Sequence, residues 1–193
     1  VTQFMNAIDA LEEEGMESLI IDLRDNPGGD YDSVVAMCDR VVPEGVIVSV
    51  EDKLGGMITE NSDAECLDVP IVLLVNENTA SAAELFTMCL RDYDMAEVVG
   101  TTTYGKGIVQ SIFRLPDGSG LKFTTEKYYG PKGDSIHETG IEPDYVIEFP
   151  EEVYEDGVIT VEEDIQLQKA GELLGLDIVN DSYLTEDESA DDQ

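Results

Sequence analysis

An α/β layered fold is what the 193-residue sequence predicts, on three observations. Helix-like and strand-like apolar patterns alternate through the first half of the chain, the signature of layered helices and sheet. Residues 70–75, Pro-Ile-Val-Leu-Leu-Val, are the most apolar run in the sequence. A strand of that kind suits a sheet covered on both faces. Two later strand patterns, 107–115 and 120–129, flank Pro116-Asp117-Gly118-Ser119-Gly120 and read as a hairpin, which implies a mixed sheet.

The elements follow in order. Residues 2–14 predict a helix, with Thr2 as its cap, Phe4, Ile8 and Leu11 on one face, and Gly15 just past its end. Residues 18–23 predict a strand, and Asp25-Asn26-Pro27-Gly28-Gly29 is a turn cluster. A second helix is expected over about 31–42, with Val34, Cys38 and Val41 aligned, then a β-branched strand at 46–50. Residues 51–69 are polar and irregular and read as a long loop. After the apolar strand comes a third helix over about 80–91, with Ala82, Leu85, Phe86 and Cys89 inward, then a brief strand at Val98-Val99. A last helix is expected over 162–175, carrying Ile165, Leu167 and Leu173-Leu174. The sequence therefore divides into a core at 1–175 and an acidic tail at 176–193. Residues 181–193 hold six acids and no base, and read as solvated and disordered.

Charge excludes several functions. The chain has 44 Asp and Glu against 10 Lys and Arg, a net charge of −34. Nucleic-acid binding needs clustered cations, so it is excluded, and an anionic membrane surface is an equally poor partner. No apolar run approaches the roughly 20 residues of a spanning helix. Three cysteines at wide, irregular spacing form neither a disulfide framework nor a zinc pattern. Cys38 and Cys89 fall in helical apolar patterns and read as buried small hydrophobes.

The chemistry-bearing segment is Asn76-Glu77-Asn78-Thr79-Ala80-Ser81-Ala82-Ala83-Glu84, which leaves a buried strand and opens a helix. A serine there has free backbone N–H groups and the positive end of a helix dipole beside it, which suits a nucleophile whose product is an oxyanion. A plain helix N-cap is the competing explanation. A serine nucleophile needs a base. The single histidine, His137, is one candidate, although a lone His in a polar loop is ordinarily a surface residue. The other is Lys106, in Gly100-Thr101-Thr102-Thr103-Tyr104-Gly105-Lys106-Gly107-Ile108-Val109-Gln110. A desolvated lysine can act as a neutral amine base, and Gln110, four residues on, shares a strand face with it. A phosphate-binding loop would require Ser or Thr after the lysine, and Gly107 stands there.

Residues 72–84 and 100–110, with residues 19–29, 128–144 and the run Asp164-Ile165-Gln166-Leu167-Gln168-Lys169-Ala170, resemble the C-terminal processing (tail-specific) proteases, a Ser/Lys serine endopeptidase family. The likeness covers nearly all of residues 1–175, and the 25 positions from Ser81 to Lys106 and 4 from Lys106 to Gln110 match the family's motif. The resemblance implies a ClpP/crotonase-like layered mixed sheet with flanking helices. It also implies Ser81 as nucleophile, Lys106 as general base, Gln110 as its orienter, and an oxyanion hole from Ala82 and a glycine of Gly28-Gly29. Ala83 stands where the family often has a second serine.

By the same resemblance, no metal or cofactor is expected, and the partner is a protein or peptide substrate with an accessible C-terminus; oligomerisation is left open. An extracytoplasmic, membrane-anchored location is implied, with the anchor, a PDZ domain and a first core strand lying before Val1, so that the core is expected to be incomplete at its N-terminus. Two other classes compete. A non-catalytic ligand- or peptide-binding module of the same fold has no reason to keep Ser81, Lys106 and Gln110 together. An acyl-CoA enzyme of crotonase type needs a phosphate site that so acidic a chain is poorly suited to build.

Overall fold

The computed structural model describes residues 1–150 and 159–180. Two four-stranded sheets organise it. The first is parallel throughout, in the order β1 (Leu19–Asp22), β4 (Ile71–Val75), β5 (Ala96–Gly100), β8 (Tyr145–Val146). The second is antiparallel, in the order β3 (Met57–Ser62), β2 (Gly45–Asp52), β7 (Gly120–Tyr129), β6 (Ile108–Arg114). Parallel and antiparallel pairing are thus both present, each confined to its own sheet.

The apolar strand β4 is fully buried and does what its sequence requires. Ile71, Leu73 and Val75 face the main core with helices α2 (Tyr31–Val41) and α3 (Ala82–Asp92). Val72 and Leu74 face the other way, onto Val99 and Ala170 of α4 (Ile165–Leu174). The fourth helix, α1 (Thr2–Glu13), inserts Ile8 and Phe4, with Phe4 edge-on to Phe86. Cys38 and Cys89 are buried free thiols, and Cys66 is exposed.

Four local expectations are corrected. Thr2 lies inside α1 and Val1 occupies the N-cap position, whereas Gly15, at φ 84°, does follow the helix end. The loop expected over 51–69 contains β3, because the Asp52 carboxylate accepts from the N–H groups of Leu54 (2.7 Å) and Gly56 (2.9 Å) and closes a hairpin. Those N–H groups, Gly56 first, hold the Asp52 carboxyl below the usual carboxylate range. Strand β8, two residues long, had no readable pattern. The last helix begins three residues late, at Ile165, where the Asp164 side chain accepts from Leu167 N–H at 2.9 Å.

That capping carboxylate also anchors α4 to the first sheet. Arg24, just past β1, donates to both Asp164 oxygens (3.0 and 2.8 Å), to Gln166 Oε1 (3.2 Å) and to Asp22. Burial alone would lower the guanidinium pKa, but its bonds to Asp22 and Asp164 outweigh that and raise it. Leu176 N–H returns to the Gly171 carbonyl at 2.8 Å, so the fold continues past residue 175. The acidic stretch 181–193, expected to be disordered, lies outside the described residues.

Leu73 is fully buried, whereas Leu54 is 96% exposed at the β2–β3 turn. Leu73→Ala is expected to cost about 2–5 kcal/mol of stability through lost contacts and a residual cavity, and Leu54→Ala less than about 0.5 kcal/mol. Chemical denaturation midpoints of the two variants check the contrast.

Candidate active site

Ser81 ends the connection from β4 to α3 and takes φ 58°, ψ −119°. Positive φ is strained for a serine, costs about 1–3 kcal/mol, and persists only where the surroundings enforce it. Here the enforcement is visible. Ala80 N–H donates to the Asn26 carbonyl (2.9 Å), and Thr79 Oγ1 donates to the Leu23 carbonyl (2.7 Å). Gly28, at φ 88°, packs so close that a Cβ on it would lie 2.5 Å from the Ala80 oxygen and 2.7 Å from the Ala82 nitrogen. Only glycine allows the 25–29 turn to approach the strand-to-helix junction in this way.

The junction is tied to the lysine loop by one carboxylate. Glu84 is 0% exposed, and its two oxygens accept four bonds. Oε2 takes the N–H groups of Ser81 and Lys106, each at 2.8 Å. Oε1 takes the Thr103 hydroxyl and the Gly105 N–H, each at 2.6 Å. A buried carboxylate is tolerable only when its acceptor sites are filled, as these are. From the opposite side the Tyr128 hydroxyl donates to the Lys106 carbonyl (2.8 Å) and the Ser81 carbonyl (3.2 Å). Burial, reinforced by the charge of Glu84, pushes the Tyr128 phenol up.

A cavity of about 290 Å³ opens over this framework. Ser81, Ala82, Gly29, Lys106 and Gln110 all line it, with Val34, Leu85, Ile108 and Ile112 as apolar walls. Two backbone donors there, the N–H groups of Gly29 and Ala82, have no hydrogen-bond partner among the described residues. Gly28 lies behind Ser81 and its N–H is taken by Asn26 Oδ1 at 2.9 Å. Gln110 reaches the cavity by an irregular route. Lys106 precedes β6, and a register shift falls between Val109 and Gln110. A bulge re-aims side chains, and Ile108, Val109 and Gln110 in succession all line the cavity. Gln110 makes no hydrogen bond to Lys106 in this arrangement.

His137 does not line the cavity that holds Ser81. It lies behind the lysine loop, where a Cβ on Gly107 would be 2.7 Å from its backbone nitrogen. Among the described residues, no three His, Cys, Asp or Glu side chains are placed to hold a metal ion.

The family model for peptidase family S41 matches residues 2–147. The chain belongs to that family. Among its relatives, the carboxyl-terminal-processing protease of Synechocystis is 40% identical over 171 residues, covering 88% of this chain and 39% of that protein. A "Probable CtpA-like serine protease" of Staphylococcus aureus strain COL is 40% identical over 152 residues, covering 77% of this chain and 31% of that protein. This S41 chain therefore spans 31–39% of the length of these curated relatives. Among solved structures, the photosystem II D1 C-terminal processing protease superposes with a TM-score of 0.68 at 32% identity, over 75% of this chain and 39% of that one. Mature CPAF complexed with lactacystin, at TM-score 0.70 and 19% identity, covers 93% of this chain and 48% of that one, and shares the fold. The α/β layering expected from the sequence is thus that of S41 protease structures.

Two framework residues, Glu84 and Tyr128, were not among the residues singled out from sequence. Glu84 had a legible signal, because Ser81-Ala82-Ala83-Glu84 is a capping box and its N3 carboxylate reaches back to the Ser81 N–H. Tyr128 had none, since its partners are carbonyls 47 and 22 residues away. Glu84→Ala strands several buried donors at about 1–3 kcal/mol each. It is expected to lower stability by more than about 3 kcal/mol, and Glu84→Gln to be nearly as damaging because it sets an amide donor against N–H groups. Thermal unfolding of both variants tests this, and a drop confined to Glu84→Ala would mean that volume and not acceptor capacity matters.

Proposed function

We propose that this chain is the catalytic core of a serine endopeptidase that cleaves proteins near their C-termini. The observation that carries the reading is the shared cavity: Ser81, strained at the start of α3, lines it together with Lys106 and two backbone donors that have no partner among the described residues. Family membership supports it, as do the two C-terminal processing proteases among the relatives and solved structures.

In this mechanism Ser81 Oγ attacks the scissile carbonyl as the Lys106 amine takes its proton. The oxyanion accepts from the N–H groups of Gly29 and Ala82, at the positive end of α3. Lys106, now an ammonium, returns the proton to the leaving amine, and water hydrolyses the ester on Ser81 with Lys106 again as base. Gln110 orients the Lys106 amine once substrate closes the cavity, and Gly28 sets the height of the oxyanion loop. The substrate is a protein with an accessible C-terminal segment. The protein acts outside the cytoplasmic membrane, held there by an anchor preceding this core. Fractionation of cells, with a signal for this protein in the membrane or external fraction, tests the location.

In the intact protein that carries this chain, Ser81→Ala is expected to reduce kcat/KM on an unstructured substrate by at least about 10³-fold without unfolding. Lys106→Arg should fail similarly, since a guanidinium keeps its proton, and His137→Ala should retain most activity. A dead His137→Ala with an active Lys106→Arg would reverse the assignment of the base.

Gly28→Ala is expected to displace the oxyanion loop and lower kcat far more than it raises KM, because the lost contact matters chiefly in the transition state. Steady-state kinetics on the same substrate separates the two effects, and an unchanged kcat would remove Gly28 from the assignment.

A further inference from the structure

A peptide cut at Ser81 extends in two directions, and the structure gives them different chemistry. The cavity at Ser81 combines the apolar walls described above with Asp30, Tyr31 and Lys122, and also contains Gly29 and Ala82. A second cavity, of about 820 Å³, adjoins it across Lys106, Ile108 and Gln110, which line both. The second cavity has neither Gly29 nor Ala82, and its distinctive members are Asp25, Tyr104, His137 and Glu138.

Direction follows from the donors. The carbonyl under attack belongs to the acyl half of the substrate, and its oxygen must point at the Gly29 and Ala82 N–H groups. The acyl-side residue therefore occupies the cavity at Ser81. The leaving amine must be within reach of Lys106, which also lines the second cavity, so the leaving-side residues run into it.

The second cavity offers a positive charge two carboxylates, Asp25 and Glu138, against the one lysine, Lys106, that it shares with the first. The Asp25 Oδ1 atom accepts from Asn78 Nδ2 (2.8 Å) and Asn76 Nδ2 (3.0 Å), while Oδ2 has no partner among the described residues. The amides of Asn78 and Asn76 hold that carboxyl below the usual carboxylate range, so it stays charged. Glu138 is exposed and fixed by its own N–H, which donates to the Gly105 carbonyl at 2.9 Å. The Tyr104 ring is 68% exposed, an unusual placement for a large aromatic and a ready face for a cation. His137 Nδ1, buried in the same wall, has no partner among the described residues. The chain's net charge of −34 adds a field that concentrates cationic peptides near any cleft.

We propose that the second cavity is the leaving-side subsite and that it selects an Arg or Lys side chain just after the scissile bond, held between the Tyr104 ring and the Asp25 and Glu138 carboxylates. The preferred cut is then just before a basic residue. This rests on the reading of Ser81 and Lys106 as nucleophile and base.

The test uses the intact protein and three peptides that differ only after the scissile bond, Leu-Arg, Leu-Gln and Leu-Glu, with Ser81→Ala as the blank. Expected kcat/KM falls in the order Arg, Gln, Glu, with Arg over Glu by about tenfold or more, and the ratio shrinks as salt is raised. Tyr104→Leu combined with Glu138→Gln, two substitutions at exposed side chains, should narrow the Arg-to-Glu ratio to about threefold or less. Equal cleavage of the three peptides, a preference for Glu, or a ratio unmoved by the double variant overturns the subsite. No cleavage of any peptide above the blank overturns the peptidase reading, and the subsite with it.

Discussion

The site depends on a single buried carboxylate. Glu84 holds four donors from three stretches of chain: the start of α3, the Thr103 hydroxyl, and the Gly105-Lys106 backbone. Ser81 and Lys106 are 25 residues apart, and their backbones are 2.8 Å from the same oxygen. Because Glu84 sits in the first turn of α3, its charge also complements the helix N-terminus. A solvated carboxylate would exchange these bonds for water with little net gain. In a dry interior each is expensive to leave unmade, and so the four together specify one geometry.

The other framework elements add to that constraint from outside. Tyr128 closes the site from the second sheet by bridging the Lys106 and Ser81 carbonyls. The 25–29 turn closes it from the first sheet, through Asn26, Gly28 and the Asp25 contacts to Asn76 and Asn78. The two sheets are thus joined at the site as well as through the core that lies between them. The strain at Ser81 is sustained by this convergence and not by any one bond.

The site's chemistry is divided between its two openings. The Gly29 and Ala82 backbone donors lie at the Ser81 opening, whereas Asp25, Glu138 and the exposed Tyr104 ring lie beyond Lys106. A strongly acidic protein gains nothing in fold from such a surplus of charge, and self-repulsion tends to loosen it. Asp25 and Glu138 place part of that charge beside the Lys106 loop.

The sequence by itself determined the four helices and six of the eight described strands in order, the two-faced burial of β4, and the junction that carries Ser81. These are local: periodicity, run length and turn chemistry operate within about ten residues. The spacing and glycine setting of Lys106 also made it a candidate base, and resemblance carried it to a family. Tertiary structure decided the rest. The polar segment 57–62 became a strand because β2 offered it an edge, and β8 exists only by pairing with β5. Gln110 reaches the cavity through a bulge that alternation in sequence does not reveal. Of the two glycines equivalent in sequence, Gly28 has its N–H occupied by Asn26 and Gly29 does not. Each of these turns on which partner stands opposite a group, and a partner tens of residues away leaves no periodic trace in the chain.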